Sequence, residues 1–173
     1  MEYSKLCFNL QCLIAFVFIL ISIQSCGDQF DENFDESNVY NCADIMFEFI
    51  NNGVKAENKA YINDKLLRGS CFIYDANNSI VELRSYQNGV IGGLQRGYYI
   101  GLNKINYEGC IKKGEIHGPY RSYHVNGNLA SEGQFNKGFY SGRWTYYDEN
   151  KKIIMNKIYA KRNGRLIDST AVN

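Results

Sequence analysis

The chain has 173 residues, a formal net charge of +1, sixteen glycines, one proline and only two histidines. Near-neutrality argues against a nucleic-acid partner, which calls for a basic patch. His117 and His124 stand outside any Ser-His-acid order, and there is no P-loop, dinucleotide glycine fingerprint or His-x-x-x-His pair, so no catalytic residue is assigned and the chain does not read as an enzyme. The glycine excess suits a turn-dense β chain, in which positive φ is needed and ladder N–H donors must be kept.

Residues 1–25 read as an export signal. Lys5 is the only positive charge in a polar start, and the apolar run from Leu13 to Ile23 comes after it. That run is too short for a spanning helix, which needs about 20 residues, and fits the core of a signal peptide. It ends in Ile23-Gln24-Ser25-Cys26, which resembles a bacterial lipobox: an aliphatic at −3, a small residue at −1 and the cysteine to be acylated at +1. Gln24 departs from the usual small residue at −2. The resemblance implies lipidation of Cys26 and a chain tethered to the membrane, placing it in the cell envelope on the outer membrane. Residues 26–37 form an acidic tether carrying Asp28, Asp31, Glu32, Asp35 and Glu36 and no base, a composition that stays extended and solvated. The stretch also resembles the one found after the lipid cysteine in surface-exported lipoproteins of the Bacteroidota, leaving periplasmic and surface orientations both open.

Residues 38–68 read as an N-terminal cap and a degraded repeat. Val39, Ala43, Met46 and Ile50 fall on one helical stripe ending near Gly53, and a strand at Met46–Ile50 is the alternative. As a helix it would cover the exposed edge of the first hairpin. Tyr61 and Asn63-Asp64-Lys65 match the tail of a repeat unit at 45–68.

Residues 69–165 hold the repeats. Gly118-Pro119-Tyr120-Arg121-Ser122-Tyr123 aligns with Gly142-Arg143-Trp144-Thr145-Tyr146-Tyr147, an offset of 24 residues. Leu129 and Ile153 recur at one position, Phe135 and Tyr159 at another. Leu94 heads the unit before, with Tyr99, Ile105, Glu108-Gly109 and Ile111 behind it; Gly69 heads the one before that after a single-residue slip. Each unit has hairpin grammar. An aromatic first arm runs from Tyr120 to Val125, Asn126-Gly127 supplies a tight turn, and the second arm alternates Leu129, Ser131, Gly133 and Phe135 with Asn128, Ala130, Glu132 and Gln134. Self-similarity at this period is the mark of a stacked array in which each unit buries its apolar face against its neighbours. The fold class is therefore all-β, an elongated antiparallel meander of stacked β-hairpins, with one N-terminal helix expected as its cap. Four hairpins give about eight strands and roughly 38 Å of sheet at ~4.8 Å per strand. Residues 166–173 are left as a C-terminal tail.

The pattern Gly-x-Tyr/Trp-x-x-Tyr, Asn-Gly, aliphatic, Glu-Gly-x-Phe, Asn-x-Gly resembles the bacterial variant of the MORN (membrane occupation and recognition nexus) repeat, with Gly118 to Gly142 its best instance. Leu94, Arg96 and Cys71 stand where aromatics or glycine are expected, and Lys151 replaces the turn glycine of the last unit. The resemblance implies the elongated hairpin meander. Many bacterial members are labelled antitoxin components of toxin–antitoxin systems.

The expected function is a membrane-tethered envelope lipoprotein whose repeat surface binds another protein, as an antitoxin or immunity factor; the alternative is a structural lipoprotein contacting glycan or lipid. Recurring aromatics are the candidate binding surface: Tyr120 and Trp144 at one offset, Tyr123 and Tyr147 at another. Trp144 is the best single candidate because tryptophan is enriched at binding hot spots. The competing expectation is that it is buried between hairpins. No cofactor is expected. The cysteines beyond the signal lack metal-ligand spacing, so no metal is either. With Cys26 acylated, three remain, an odd count that precludes full pairing in one monomer. Cys71 and Cys110 lie three strands apart, roughly 14 Å, too far for a disulfide, and Cys71 is expected as a buried thiol.

Overall fold

The computed structural model describes residues 39–51 and 56–172. The expectations for the signal, for Cys26 and for the acidic tether lie outside these residues. The strands are β1 (Val39–Asn41), β2 (Met46–Asn51), β3 (Ala56–Ile62), β4 (Lys65–Leu66), β5 (Gly69–Tyr74), β6 (Ile80–Gln87), β7 (Val90–Tyr99), β8 (Lys104–Lys112), β9 (Glu115–Tyr123), β10 (Leu129–Asn136), β11 (Phe139–Tyr147), β12 (Ile153–Tyr159) and β13 (Leu166–Ala171). Strands β5 to β13 pair in chain order, each antiparallel to the next; β1 pairs parallel to β5 at one edge, and β2, β3 and β4 form a separate three-stranded sheet. The all-β hairpin meander is thus the fold.

Three expectations are corrected at the ends. The helical stripe expected over residues 38–52 is not a helix at the described residues 39–51. The segment forms β1, a single 3-10 turn at Cys42–Asp44 capped by the Asn41 side chain, and β2, so the strand alternative holds. Phe47, Phe49 and Ile50 suit a pleated surface, and β2 pairs with β3 along one of its sides. The tail is likewise a strand, since β13 pairs with β12 from Met155↔Ala171 to Tyr159↔Leu166. Finally, Cys71 is no thiol. Parallel pairing sets Tyr40 opposite Cys71 and brings Cys42 within reach, and the two form a disulfide with Cα atoms 5.0 Å apart. Cys110 is fully buried and is also disulfide-bonded, so the expected odd thiol is absent among the described residues.

Inside the meander the turn chemistry differs from the hairpin grammar in one respect. The two-residue turns with positive φ at both positions are Asn88-Gly89, Lys113-Gly114 and Lys137-Gly138. These are the connections whose twist matches paired strands. Asn126-Gly127 lies instead in a wider loop, with positive φ at Gly127 alone and the Asn126 side chain accepting the Asn128 N–H. The corresponding loops at Asp75 and Asp148 are closed the same way, each carboxylate accepting two backbone N–H groups.

The unit heads mark a repeated irregularity. Gly133 faces the three residues Gly142 to Trp144, Cys110 faces His117 to Pro119, and Ser85 faces Gly92 to Leu94. In each bulge a glycine has positive φ: 67° at Gly142, 93° at Gly118 and 107° at Gly93. The head of the second unit is therefore Gly93 rather than Leu94, because only glycine takes this backbone without strain.

Two apolar clusters anchor the N-terminal end. Ile45, Ala60, Leu67, Cys71 and Tyr86 join the small sheet to one side of the large one, and Phe72, Leu83 and Leu94 pack on the other.

Candidate functional site

Directly opposed residues share a face of a sheet, so the register sorts the repeat residues into two surfaces. On one, Leu83, Arg96, Glu108, Arg121, Glu132, Thr145 and Asn156 stand opposite one another in succession from β6 to β12. Four of these alternate in charge. On the other surface lie the rings of Tyr107, Tyr120, Phe135, Tyr140, Trp144 and Tyr159, with centroids 4.6 to 6.0 Å apart along the stack.

The four aromatic candidates therefore do not line one face. Tyr120 and Trp144 belong to the ring stack; Tyr123 and Tyr147, three residues further along the same strands, point to the polar surface. An odd offset in a strand forces this split. Trp144 is only 2% exposed and its Nε1 donates to the Gln134 carbonyl at 3.1 Å. Its indole lies over Gly133, where any β-carbon would collide with the ring, just as Tyr120 lies over Gly109. Trp144 is thus core, as the competing expectation had it, and the choice of Trp144 as an exposed anchor is corrected. Burial also pushes the Tyr120 hydroxyl up to about 12, with the Tyr107 and Tyr140 hydroxyls adding to the shift.

On the polar surface the repeat generates one constellation twice. In the first copy Arg96 Nε lies 3.1 Å from Glu108 Oε2, and the Tyr123 hydroxyl donates to Glu108 Oε1 at 2.5 Å. Both charged side chains are buried, at 8% and 4% exposure. The Tyr123 hydroxyl is held above the ordinary tyrosine range, by burial first and by its bond to Glu108 second. In the second copy the Tyr147 hydroxyl donates to Glu132 Oε1 at 2.7 Å, but Arg121 Nε stands 4.0 Å from Glu132 Oε2, and these side chains are 41% and 42% exposed. Burial, and after it the Glu132 bond, raises the Tyr147 hydroxyl too.

The second copy opens into a hollow of about 460 Å³ whose walls include Arg121, Glu132, Gln134, Ser141, Arg143 and Thr145. Two residues of the bulge, Gly142 and Arg143, are part of its lining. Arg143 is exposed and forms no ion pair among the described residues. The same bulge position holds Pro119 one unit earlier and Leu94 before that, so this guanidinium belongs to the last unit alone.

Both histidines are absorbed by the scaffold. His117 Nδ1 accepts the Lys137 N–H, and His124 Nε2 meets the Tyr147 carbonyl at 3.0 Å. Among the described residues no group of three His, Cys, Asp or Glu could hold a metal ion. Sequence reasoning found Glu108 and Glu132 as repeat-equivalent but missed their arginines and Arg143. The available signal was the shared 15-residue offset from each glutamate to its tyrosine.

No family model matches the chain, and no curated protein does. Solved structures with weak likeness include a mutant of S. aureus TarM in complex with fondaparinux, alpha-GlcNAc-glycerol and UDP (8% identity, TM-score 0.26, 75% of this chain and 20% of that one). A second TarM structure matches at 9% identity and TM-score 0.27, over 74% of this chain and 19% of that one. The chain thus spans about a fifth of the length of TarM. A Bacteroides fragilis NCTC 9343 protein of unknown function matches at 13% identity and TM-score 0.18, over 74% of this chain and 91% of that one. Likeness at these scores carries no argument about function.

Proposed function

We propose that this chain is a lipid-anchored envelope protein whose MORN-like hairpin sheet binds another protein, in the manner of an immunity factor or antitoxin acting outside the cytoplasm. The observation that carries the reading is the open copy of the Arg–Glu–Tyr constellation. A repeat that seals its polar groups in one unit leaves them solvated and concave in the next, which is the form of a recognition surface rather than of a core. The sequence Ile23-Gln24-Ser25-Cys26 supports the anchor. Replacing Cys26→Ser should move the protein from the membrane to the soluble fraction, since acyl chains supply the attachment. Mass spectrometry finding Cys26 unmodified, or in a disulfide, would sink the anchor. For the surface, a photo-crosslinking residue at Ser141 in cells should yield a discrete protein adduct that the same residue at Lys161 does not; equal labelling from both positions contradicts a site in the hollow.

The second reading, a structural lipoprotein touching lipid, draws on one feature. The small sheet exposes Met46, Phe47 and Phe49, at 58%, 56% and 65%. Phe47 and Phe49 share one face of β2 and Met46 lies on the other, and exposed aromatic pairs of this kind suit an interaction site. Binding of non-acylated protein to neutral vesicles, lost in Phe49→Ser, would favour it.

A further inference from the structure

We infer that the hollow between β9, β10 and β11 is a receptor for a peptide carboxylate, an aspartate or glutamate side chain of an extended acidic segment of the partner. The inference rests on the protein-binding reading above and names the chemistry of its site. Charge counting sets the ligand's sign. The sealed copy matches one guanidinium, Arg96, to one carboxylate, Glu108, at hydrogen-bond distance. Arg121 stands opposite both Glu108 and Glu132, so the ladder of two arginines and two glutamates is neutral, and the bulge adds Arg143, a guanidinium with no ion pair among the described residues, to the lining of the hollow. The hollow is left one positive charge in excess.

Geometry narrows the class. A planar guanidinium with no carboxylate partner presents paired N–H donors that fit a carboxylate with two parallel hydrogen bonds. Arg143 is such a group, and it lines the hollow together with Ser141 and Gln134. One excess charge balances a monoanion. A phosphate dianion would leave charge uncompensated facing Glu132. Sugar acids are disfavoured because Tyr120, the aromatic residue in the lining of the hollow, has its ring packed over Gly109 and against Trp144 in the stack of the opposite face, so it is not presented as a platform for a pyranose.

The test uses fluorescein-labelled hexaglutamate with the full-length protein, with anisotropy as the readout. Wild type should bind it, binding should weaken as salt screens the charges, and Arg143→Gln should weaken it about tenfold or more. Arg162→Gln, an exposed arginine in the loop after β12, should bind as wild type does. Unlabelled trigalacturonate should compete poorly. The inference is overturned if hexaglutamate does not bind, if Arg143→Gln and Arg162→Gln weaken it equally, or if trigalacturonate competes as well as peptide. Unchanged unfolding of Arg143→Gln confirms that its loss is not one of folding. If peptide binding fails while the Ser141 crosslink persists, the ligand class is wrong and the protein-binding surface stands; if both fail, the surface itself is wrong.

Discussion

The two copies of the Arg–Glu–Tyr constellation are made by one repeat and differ in what surrounds them. Around Arg96, Glu108 and Tyr123 the ladder is closed and nearly dry; around Arg121, Glu132 and Tyr147 it is solvated and borders a hollow. The same residue types, with the same 15-residue step from glutamate to tyrosine, are thus architecture in one unit and available chemistry in the next. Burial decides between them. An ion pair out of water is held by its partner, since removing one member leaves a desolvated charge, whereas an exposed pair contributes little. A carboxylate that recurs in a repeat is therefore not architectural on that ground alone.

The largest effect should come from breaking the sealed copy. Glu108→Gln leaves Arg96 buried without its counter-charge and should cost about 3–5 kcal/mol of unfolding free energy in urea. The double change Arg96→Met, Glu108→Leu should recover most of that loss, because an apolar pair of similar size removes both charges together. If the double variant is as unstable as the single one, the side chains matter as hydrogen-bonding groups rather than as a pair.

The ring stack beneath the open copy comes next. Trp144→Ala should cost about 3–5 kcal/mol by leaving a cavity against Tyr120, Phe135 and Tyr140. In the wild type its emission should be blue-shifted and resistant to quenchers. Red-shifted, quenchable emission would put the indole in water and overturn the assignment to core.

Removing the disulfide should act far from both copies. Cys42→Ser frees a closure of 29 residues and should cost about 2–4 kcal/mol while leaving hexaglutamate binding unchanged. Lost binding would tie the N-terminal edge to the hollow.

The smallest effect concerns pH. The Tyr120 hydroxyl is pushed from 10.0 to about 12. The folded state then keeps its proton where the unfolded chain has lost it, so this contribution is complete below pH 10 and disappears as pH rises towards 12. Urea midpoints should be flat with pH below that window and fall within it. A midpoint that falls before the window opens assigns the loss to another group.

Much of this fold was legible. The 24-residue offset, the period-2 alternation from Leu129 to Phe135 and the glycine turns specify a hairpin meander without further help. The two periodicities of residues 38–52 did not resolve from pattern alone, because Val39, Met46 and Ile50 suit either element until β3 and β5 provide strand partners. The disulfide was hidden for the same reason, since it depends on the parallel placement of β1. The site was legible only in its parts. Bulges at Gly93, Gly118 and Gly142 set three residues against one, so the residue facing Glu132 cannot be counted off without the register. The split of Tyr120 from Tyr123 comes from their odd spacing and was available from the start.

The contrast between the copies is tested most directly by two double-mutant cycles in urea unfolding, one through Arg96→Met and Glu108→Leu, the other through Arg121→Met and Glu132→Leu, each reporting its own coupling energy. The account predicts several kcal/mol of coupling in the first and less than about 1 kcal/mol in the second. Equal couplings, or a larger one at Arg121 and Glu132, would mean that the second copy is as much a part of the scaffold as the first.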